Sequence, residues 1–321
     1  MLAVDLACAR LLEEAGVRPA AVAGFSLGEI GALAFAGVFD DRTACALIAQ
    51  RARLMEAAAR SPRGGLRAVL GKTADDVRTL VKASGQDGLE LVNFNAPTQV
   101  VVAGPIAELT VLGDFLKSQG VRSVPLAVSG AFHSSFMRPA ADGFAGALTR
   151  TPFSRARIPV YANVTGEPYP LEASGSGSGS GPGFGAKAAA ATAPLSPFDE
   201  AQAKTLLARQ ISSPVRWTRL LENLRASGIT RFVEVGPGAV LTGLVRKTLP
   251  GVWCRSVSNV EQAHTVAAEL EQLKSSSVVI LRKVAESSLK SATLDPATNA
   301  QDDKGRDRQS DPEEERKEQV A

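Results

Sequence analysis

The stretch AVAGFSLGEIGAL, residues 21–33, constrains the architecture of this chain more than any other. A short run of small apolar residues ends in Gly24-Phe25-Ser26-Leu27-Gly28, and a helical pattern starts at once. A strand that turns straight into a helix needs glycines where the two cross, because a Cβ would clash there. Ser26 has two readings at such a turn. Either the turn pushes its Oγ out of the sheet edge as a nucleophile, or the serine caps the helix. The pattern Gly-x-Ser-x-Gly does not choose between them.

The rest of the chain repeats the strand-helix alternation, which predicts an α/β fold built on a mostly parallel sheet. Residues 2–15 have helical spacing, with Leu2, Leu6, Leu11 and Leu12 on one side, stopped by Gly16 and Pro19. A helix follows the serine turn, and another begins at Asp40 or Asp41 and closes before Pro62. Residues 66–127 read as β-α-β-β-α-β, the split pattern of a ferredoxin-like subdomain inserted into a larger one. The larger part, residues 1–65 and 128–275, adds a strand at IPVYANVTG, helices after residue 198, and a last β-α-β from RFVEVGPG to GVWCRSV. Helix EQAHTVAAELEQLK closes it. The Gly/Ser/Ala-rich stretch 172–197 reads as a flexible linker insertion, and the charged tail 287–321 as disordered.

Composition narrows the function. The net charge of +3 sets no strong field, and 5% aromatic residues leave little for stacking on bases, so nucleic acid is not an expected partner. No apolar stretch reaches the roughly 18–20 residues of a membrane helix, and the N-terminus lacks the basic start of a signal peptide. Cys8, Cys45 and Cys254 are sparse and odd in number, and read as buried thiols of a reducing, intracellular compartment. Metal and resident cofactor are not expected.

A nucleophilic serine requires a base. The chain has two histidines: His264 on a polar helix, read as a surface residue, and His133 in the loop VSGAFHSSFM. His133 is the better candidate. Asp142 and Glu167 are the nearest acids to it in sequence, and neither sits in a convincing turn, which weakens a Ser-His-Asp hydrolase reading.

Six motifs in order then carry a resemblance: GFSLGE (24–29), QRARLM (50–55), NFNAPTQVVVAG (93–104), GAFHSSFM (130–137), QISSPVRWT (210–218) and EVGPGAVLTGL (234–244). The chain resembles malonyl-CoA:acyl carrier protein transacylases and the acyltransferase domains of fatty acid and polyketide synthases, from its start to about residue 275. The resemblance implies an α/β-hydrolase-like core with the ferredoxin-like insertion. It implies that Ser26 is acylated and that His133 is its base, oriented by a neutral group. Gln210 matches the position that helps set the histidine. Arg51 matches the arginine that pairs with the free malonyl carboxylate, and a planar guanidinium suits that bidentate task. Leu27 would supply an oxyanion N–H. Malonyl-CoA and an acyl carrier protein are the implied partners, the phosphopantetheine belongs to the carrier, and the chain is expected to be a monomer. The phenylalanine of GAFH, Phe132, resembles the malonyl-selecting version of the family.

Two departures stand out. Phe25 sits where many members carry histidine. The family also opens with a strand and a GQG-type loop that donates to the oxyanion, and this chain starts after them. The expectation is an N-terminally truncated member with activity lowered by the missing donor, or an inactive partner-binding relative. The alternative outside the family is a serine thioesterase or esterase.

Overall fold

The structure is a computed structural model, and it describes residues 2–60, 63–170, 199–273 and 277–282. The proposed linker at 172–197 and tail at 287–321 lie outside the described residues. Two sheets organise the chain. The first is parallel and five-stranded, formed by β1 (Ala21–Gly24), β6 (Val160–Tyr161), β7 (Arg231–Val235), β8 (Trp253–Val257) and β9 (Val278–Arg282), in the order β6-β1-β9-β7-β8. A parallel sheet must be covered on both faces, so its strands carry near-continuous apolar runs. One face is covered by α1 (Leu2–Glu14), α2 (Gly28–Phe35), α3 (Asp41–Ala59), α6 (Arg138–Thr149), α7 (Glu200–Arg209) and α10 (Val260–Gln272). The other is covered by α8 (Trp217–Ala226) and α9 (Val240–Thr248) around Trp217, Leu220 and Leu241.

The second sheet is antiparallel, with β2 (Gly64–Leu70), β3 (Glu90–Ala96), β4 (Gln99–Pro105) and β5 (Ser123–Leu126) in the order β3-β4-β2-β5. Residues alternate between its faces, as the strand period requires. Val69, Val100 and Val102 meet α4 (Ala74–Ala83) and α5 (Ile106–Ser118), while Leu66, Ala68, Val101 and Ala103 meet Ala131 and Phe132 on the far side. Thr73 caps α4 in a reciprocal capping box with Asp76. The sheet joins the larger part through β3, where Phe94 N–H donates to Val215 O (2.9 Å) and Val215 N–H to Val92 O (2.8 Å).

Three features differ from, or sharpen, the sequence reading. The parallel sheet continues to Arg282, past residue 275 where the sequence reading ends the larger part, and its continuation is the middle strand. Val278-Val279-Ile280-Leu281 is a four-residue apolar run buried on both sides, too short to show a period. Cys45 is exposed, whereas Cys8 and Cys254 are buried and all three are free thiols. The inward stripe of α3 runs through Ala44, Leu47, Arg51, Met55 and Ala59, which turns Cys45 outward. Of the two candidate caps of α3, it is Asp40 that accepts from Thr43 N–H (2.7 Å). No helix among the described residues is long and apolar enough to cross a membrane.

Candidate active site

Ser26 stands between the end of β1 and the start of α2 with φ of +51°, one of two non-glycine residues described at positive φ. The other is His133, at +64°. Such a backbone costs about 1–3 kcal/mol and persists only where its surroundings hold it. Here they do. Ser26 N–H donates to Asn163 Oδ1 (2.7 Å), and Ser26 C=O accepts from Gln210 Nε2 (2.7 Å) and from Glu29 N–H (3.1 Å). Asn163 Nδ2 also donates to Gly24 O (2.6 Å), so one side chain ties the end of the strand to the serine. The glycines have the steric reason expected of them. A Cβ on Gly24 would lie 2.0 Å from the Gly28 carbonyl, and one on Gly28 would lie 2.3 Å from Arg282 O.

β9 also touches this turn. Phe25 N–H donates to Arg282 O (3.0 Å), and the buried Arg282 guanidinium donates to Gly31 O in α2. The Phe25 ring packs edge-on against Trp217, 5.2 Å between centroids, within the apolar cluster on the α8 side.

Four residues singled out in the sequence converge. Ser26 Oγ lies 2.8 Å from His133 Nε2, and His133 Nδ1 lies 2.9 Å from the main-chain carbonyl of Gln210. A carbonyl only accepts, so Nδ1 carries the proton and Nε2 presents its lone pair to the serine. Arg51 Nη2 donates to Ser26 Oγ (3.1 Å) and to Gln210 Oε1 (3.0 Å). All four are buried, with Ser26 at 4% and Arg51 at 6% exposure. Leu27 follows the serine, half-buried at the N-cap of α2. Its amide donates to no oxygen among the described residues, while those of Ser26, Gly28 and Glu29 are all engaged. It lies at the positive end of a helix. His264 is exposed on α10, Asp142 is exposed on α6, and Glu167 pairs with Arg219 (3.0 Å), so none of these reaches the serine.

Two residues of the cluster escape a reading by side-chain type. Glu29 is fully buried one turn after Ser26, and its carboxylate accepts from Gln210 Nε2 (2.9 Å), Asn163 N–H (3.0 Å) and Tyr169 O–H. Asn163 comes from the loop after β6. An acid stands three positions after the serine in GFSLGE, but its burial and its partners at 163, 169 and 210 come only with the fold. No three His, Cys, Asp or Glu side chains gather as a metal site would need, among the described residues.

Burial sets the electrostatics. It pushes the Glu29 carboxyl up to about 7, against the pull of Gln210, Tyr169, Asn163 and the Arg51 charge. Burial, then the positive charge of Arg51, pushes His133 down to about 4, against the carbonyls of Gln210 and Ser213. A base must be neutral to accept a proton, so activity that depends on His133 falls only as pH drops through about 4. The expected profile of Ser26 acylation (kcat/KM) therefore has no histidine limb at the ordinary value near 6.5. A limb near 7 that vanishes in Glu29→Gln belongs to Glu29. A limb near 6.5 that survives that substitution contradicts the assignment.

A strained serine at the C-terminal edge of a parallel sheet, paired with a neutral histidine and flanked by a buried arginine, defines a serine-nucleophile site of the acyl-transfer kind. The comparisons narrow the class. The acyl transferase domain family matches residues 1–284. A malonyl CoA-acyl carrier protein transacylase of Synechocystis is 34% identical over 263 residues, 82% of this chain and 78% of that protein. The polyketide biosynthesis protein ThaF of Burkholderia thailandensis is 38% identical over 243 residues, which is 75% of this chain and 18% of ThaF. Among solved structures, a complex of a type II PKS acyl-carrier protein with its malonyl-transacylase matches with a TM-score of 0.71 and 31% identity, over 84% of this chain and 79% of that one. The chain belongs to the acyl transferase domain family.

Proposed function

We propose that this chain moves a malonyl group from malonyl-CoA to the phosphopantetheine thiol of an acyl carrier protein, through a malonyl ester on Ser26. The observation that carries the reading is the buried Arg51 guanidinium beside the serine, 3.1 Å from Oγ, in a member of this family. The named relatives are malonyl transacylases and a polyketide biosynthesis protein, which supports the substrate class.

The steps follow from the geometry. Ser26 Oγ attacks the thioester carbonyl while His133 Nε2 takes its proton, and the Gln210 carbonyl keeps Nδ1–H in place. The oxyanion that forms is met by the Leu27 amide. Collapse expels CoA, whose thiolate takes the proton back from His133. The carrier thiol then gives its proton to the same nitrogen and attacks the ester, and collapse expels Ser26 Oγ, which takes that proton from His133. Arg51 trades the serine oxygen for the malonyl carboxylate, a better acceptor for a guanidinium. Phe132 narrows the acyl pocket in this reading. The larger part is an α/β-hydrolase-like core and residues 66–127 a ferredoxin-like subdomain, a division supported by the strand order β3-β4-β2-β5. The protein acts as a soluble monomer in a reducing compartment.

The test is transfer of labelled malonate from malonyl-CoA with and without a phosphopantetheine-bearing carrier. Label on the carrier supports the reading, and free malonate released without one identifies a thioesterase. Arg51→Ala should lower the preference for malonyl over acetyl by roughly ten- to a hundredfold, the worth of a charge-assisted hydrogen bond. Unchanged preference takes Arg51 out of the acyl pocket.

A further inference from the structure

We propose that Glu29 is a positioning residue that sets the acyl selectivity of the site, by holding the side-chain amide of Gln210 in the orientation that offers Oε1 to Arg51. The inference rests on the malonyl reading of Ser26 and Arg51. A glutamine amide has a donor end and an acceptor end, and which end faces a partner is decided by what surrounds it. The nitrogen of Gln210 faces two oxygens, Ser26 O at 2.7 Å and Glu29 Oε2 at 2.9 Å. With Glu29 ionised, neither it nor the Ser26 carbonyl can donate to an oxygen, so turning the amide over would set acceptor against acceptor at both. With the nitrogen fixed there, Oε1 meets Arg51 Nη2 at 3.0 Å. The guanidinium is thereby held over the serine, where an acyl group with a free carboxylate must lie.

Glu29 is itself held rigidly. Its two oxygens accept from Gln210 Nε2, from the main-chain N–H of Asn163 and from Tyr169 O–H, and it is 0% exposed. Three residues from two segments distant in sequence thus converge on one carboxylate three residues after the nucleophile. The carboxylate also interacts with the Arg51 charge across Gln210, so the site holds an acid and a base that share one amide. The histidine does not depend on this arm, because His133 is aligned by the main chain of Gln210 and not by its side chain, while Ser26 shares the arm through its carbonyl and its Oγ. Loss of the carboxylate should therefore weigh more on malonyl than on acetyl transfer, and a carboxylate that served only the fold would lower both alike.

The experiment compares acylation rates from malonyl-CoA and acetyl-CoA in wild type, Glu29→Leu, Glu29→Gln and Tyr169→Phe, each checked by thermal melting. Glu29→Leu removes the charged acceptor and leaves Ser26 O alone against Gln210 Nε2, and its malonyl-to-acetyl ratio should fall about tenfold, the effect of losing one buried charged acceptor. Its acetylation rate should fall less than its malonylation rate, because an acetyl group makes no use of the Arg51 charge. Glu29→Gln keeps a carbonyl that accepts from Gln210 Nε2, so it should restore most of the ratio. Tyr169→Phe leaves the carboxylate with one anchor fewer and should lower the ratio about twofold, which keeps the test open if Glu29→Leu does not fold. A ratio unmoved in the folded Leu and Phe variants, or a Gln variant as impaired as Leu, overturns the role of Glu29. A wild type that does not prefer malonyl overturns the substrate reading instead, so the two failures are told apart by which protein shows them.

Discussion

Ser26→Ala is expected to abolish acyl-enzyme formation while leaving the chain folded. The substitution removes only Oγ, which accepts from Arg51 and faces His133. The turn itself is held by the main chain of residue 26, through Asn163, Gln210 and Glu29, and those bonds survive an alanine. Alanine is no worse than serine at positive φ, so the melting temperature should shift by only a few degrees. Removal of a serine nucleophile costs on the order of 10⁶ in rate where it has been isolated in other hydrolytic sites. Intact mass after incubation with malonyl-CoA measures it. An adduct that persists in the alanine variant would place the chemistry elsewhere.

The second large effect concerns β9. Ile280 pairs with Val22 on one side and Val233 on the other, is fully buried, and belongs to the larger apolar cluster. Ile280→Asp puts an unpaired carboxylate in the middle of a parallel sheet, at a cost of about 3–5 kcal/mol or more. That is a large share of the about 5–15 kcal/mol by which a domain is stable, so the variant should be mostly unfolded or melt more than 10 °C lower. Ile280→Val removes one methylene at about 0.5–1.5 kcal/mol and should melt only a few degrees lower. The loss should take the site with it, because Arg282 O holds Phe25 N–H next to the nucleophile. Equal melting of wild type and Ile280→Asp would exclude β9 from the sheet.

Much of this was legible in the residues. The run Ala21–Gly24 followed by glycine-spaced helix predicted the turn, and the turn is there with Ser26 strained at its apex. The β-α-β-β-α-β rhythm of residues 66–127 was legible because helical and strand periods alternate clearly and Thr73 marks a cap. β9 was not, since four apolar residues after a closing helix have no period to read, and their partners at 21–24 and 231–235 are remote. At the site, Ser26 and His133 could be singled out because their side chains carry the chemistry, and Arg51 and Gln210 because they stand in motifs of the family the chain resembles. The part played by the Gln210 carbonyl could not, because every residue has one and only the fold aims it at His133. Arg51 shows both halves of the lesson. It lies on the apolar stripe of α3 between Leu47 and Met55, while Arg53 is exposed and Arg60 pairs with Glu56. A charge on a buried stripe was a signal for burial, but only the structure gives its partners.

The central claim is that Ser26 carries the acyl group. Its most direct test is intact-mass and peptide mapping of the wild-type protein after brief exposure to malonyl-CoA, followed by addition of a phosphopantetheine-bearing carrier. The account predicts one malonyl group, on the peptide containing Ser26, that leaves when the carrier is added and appears on its thiol. No adduct, or an adduct on any other residue, would contradict it.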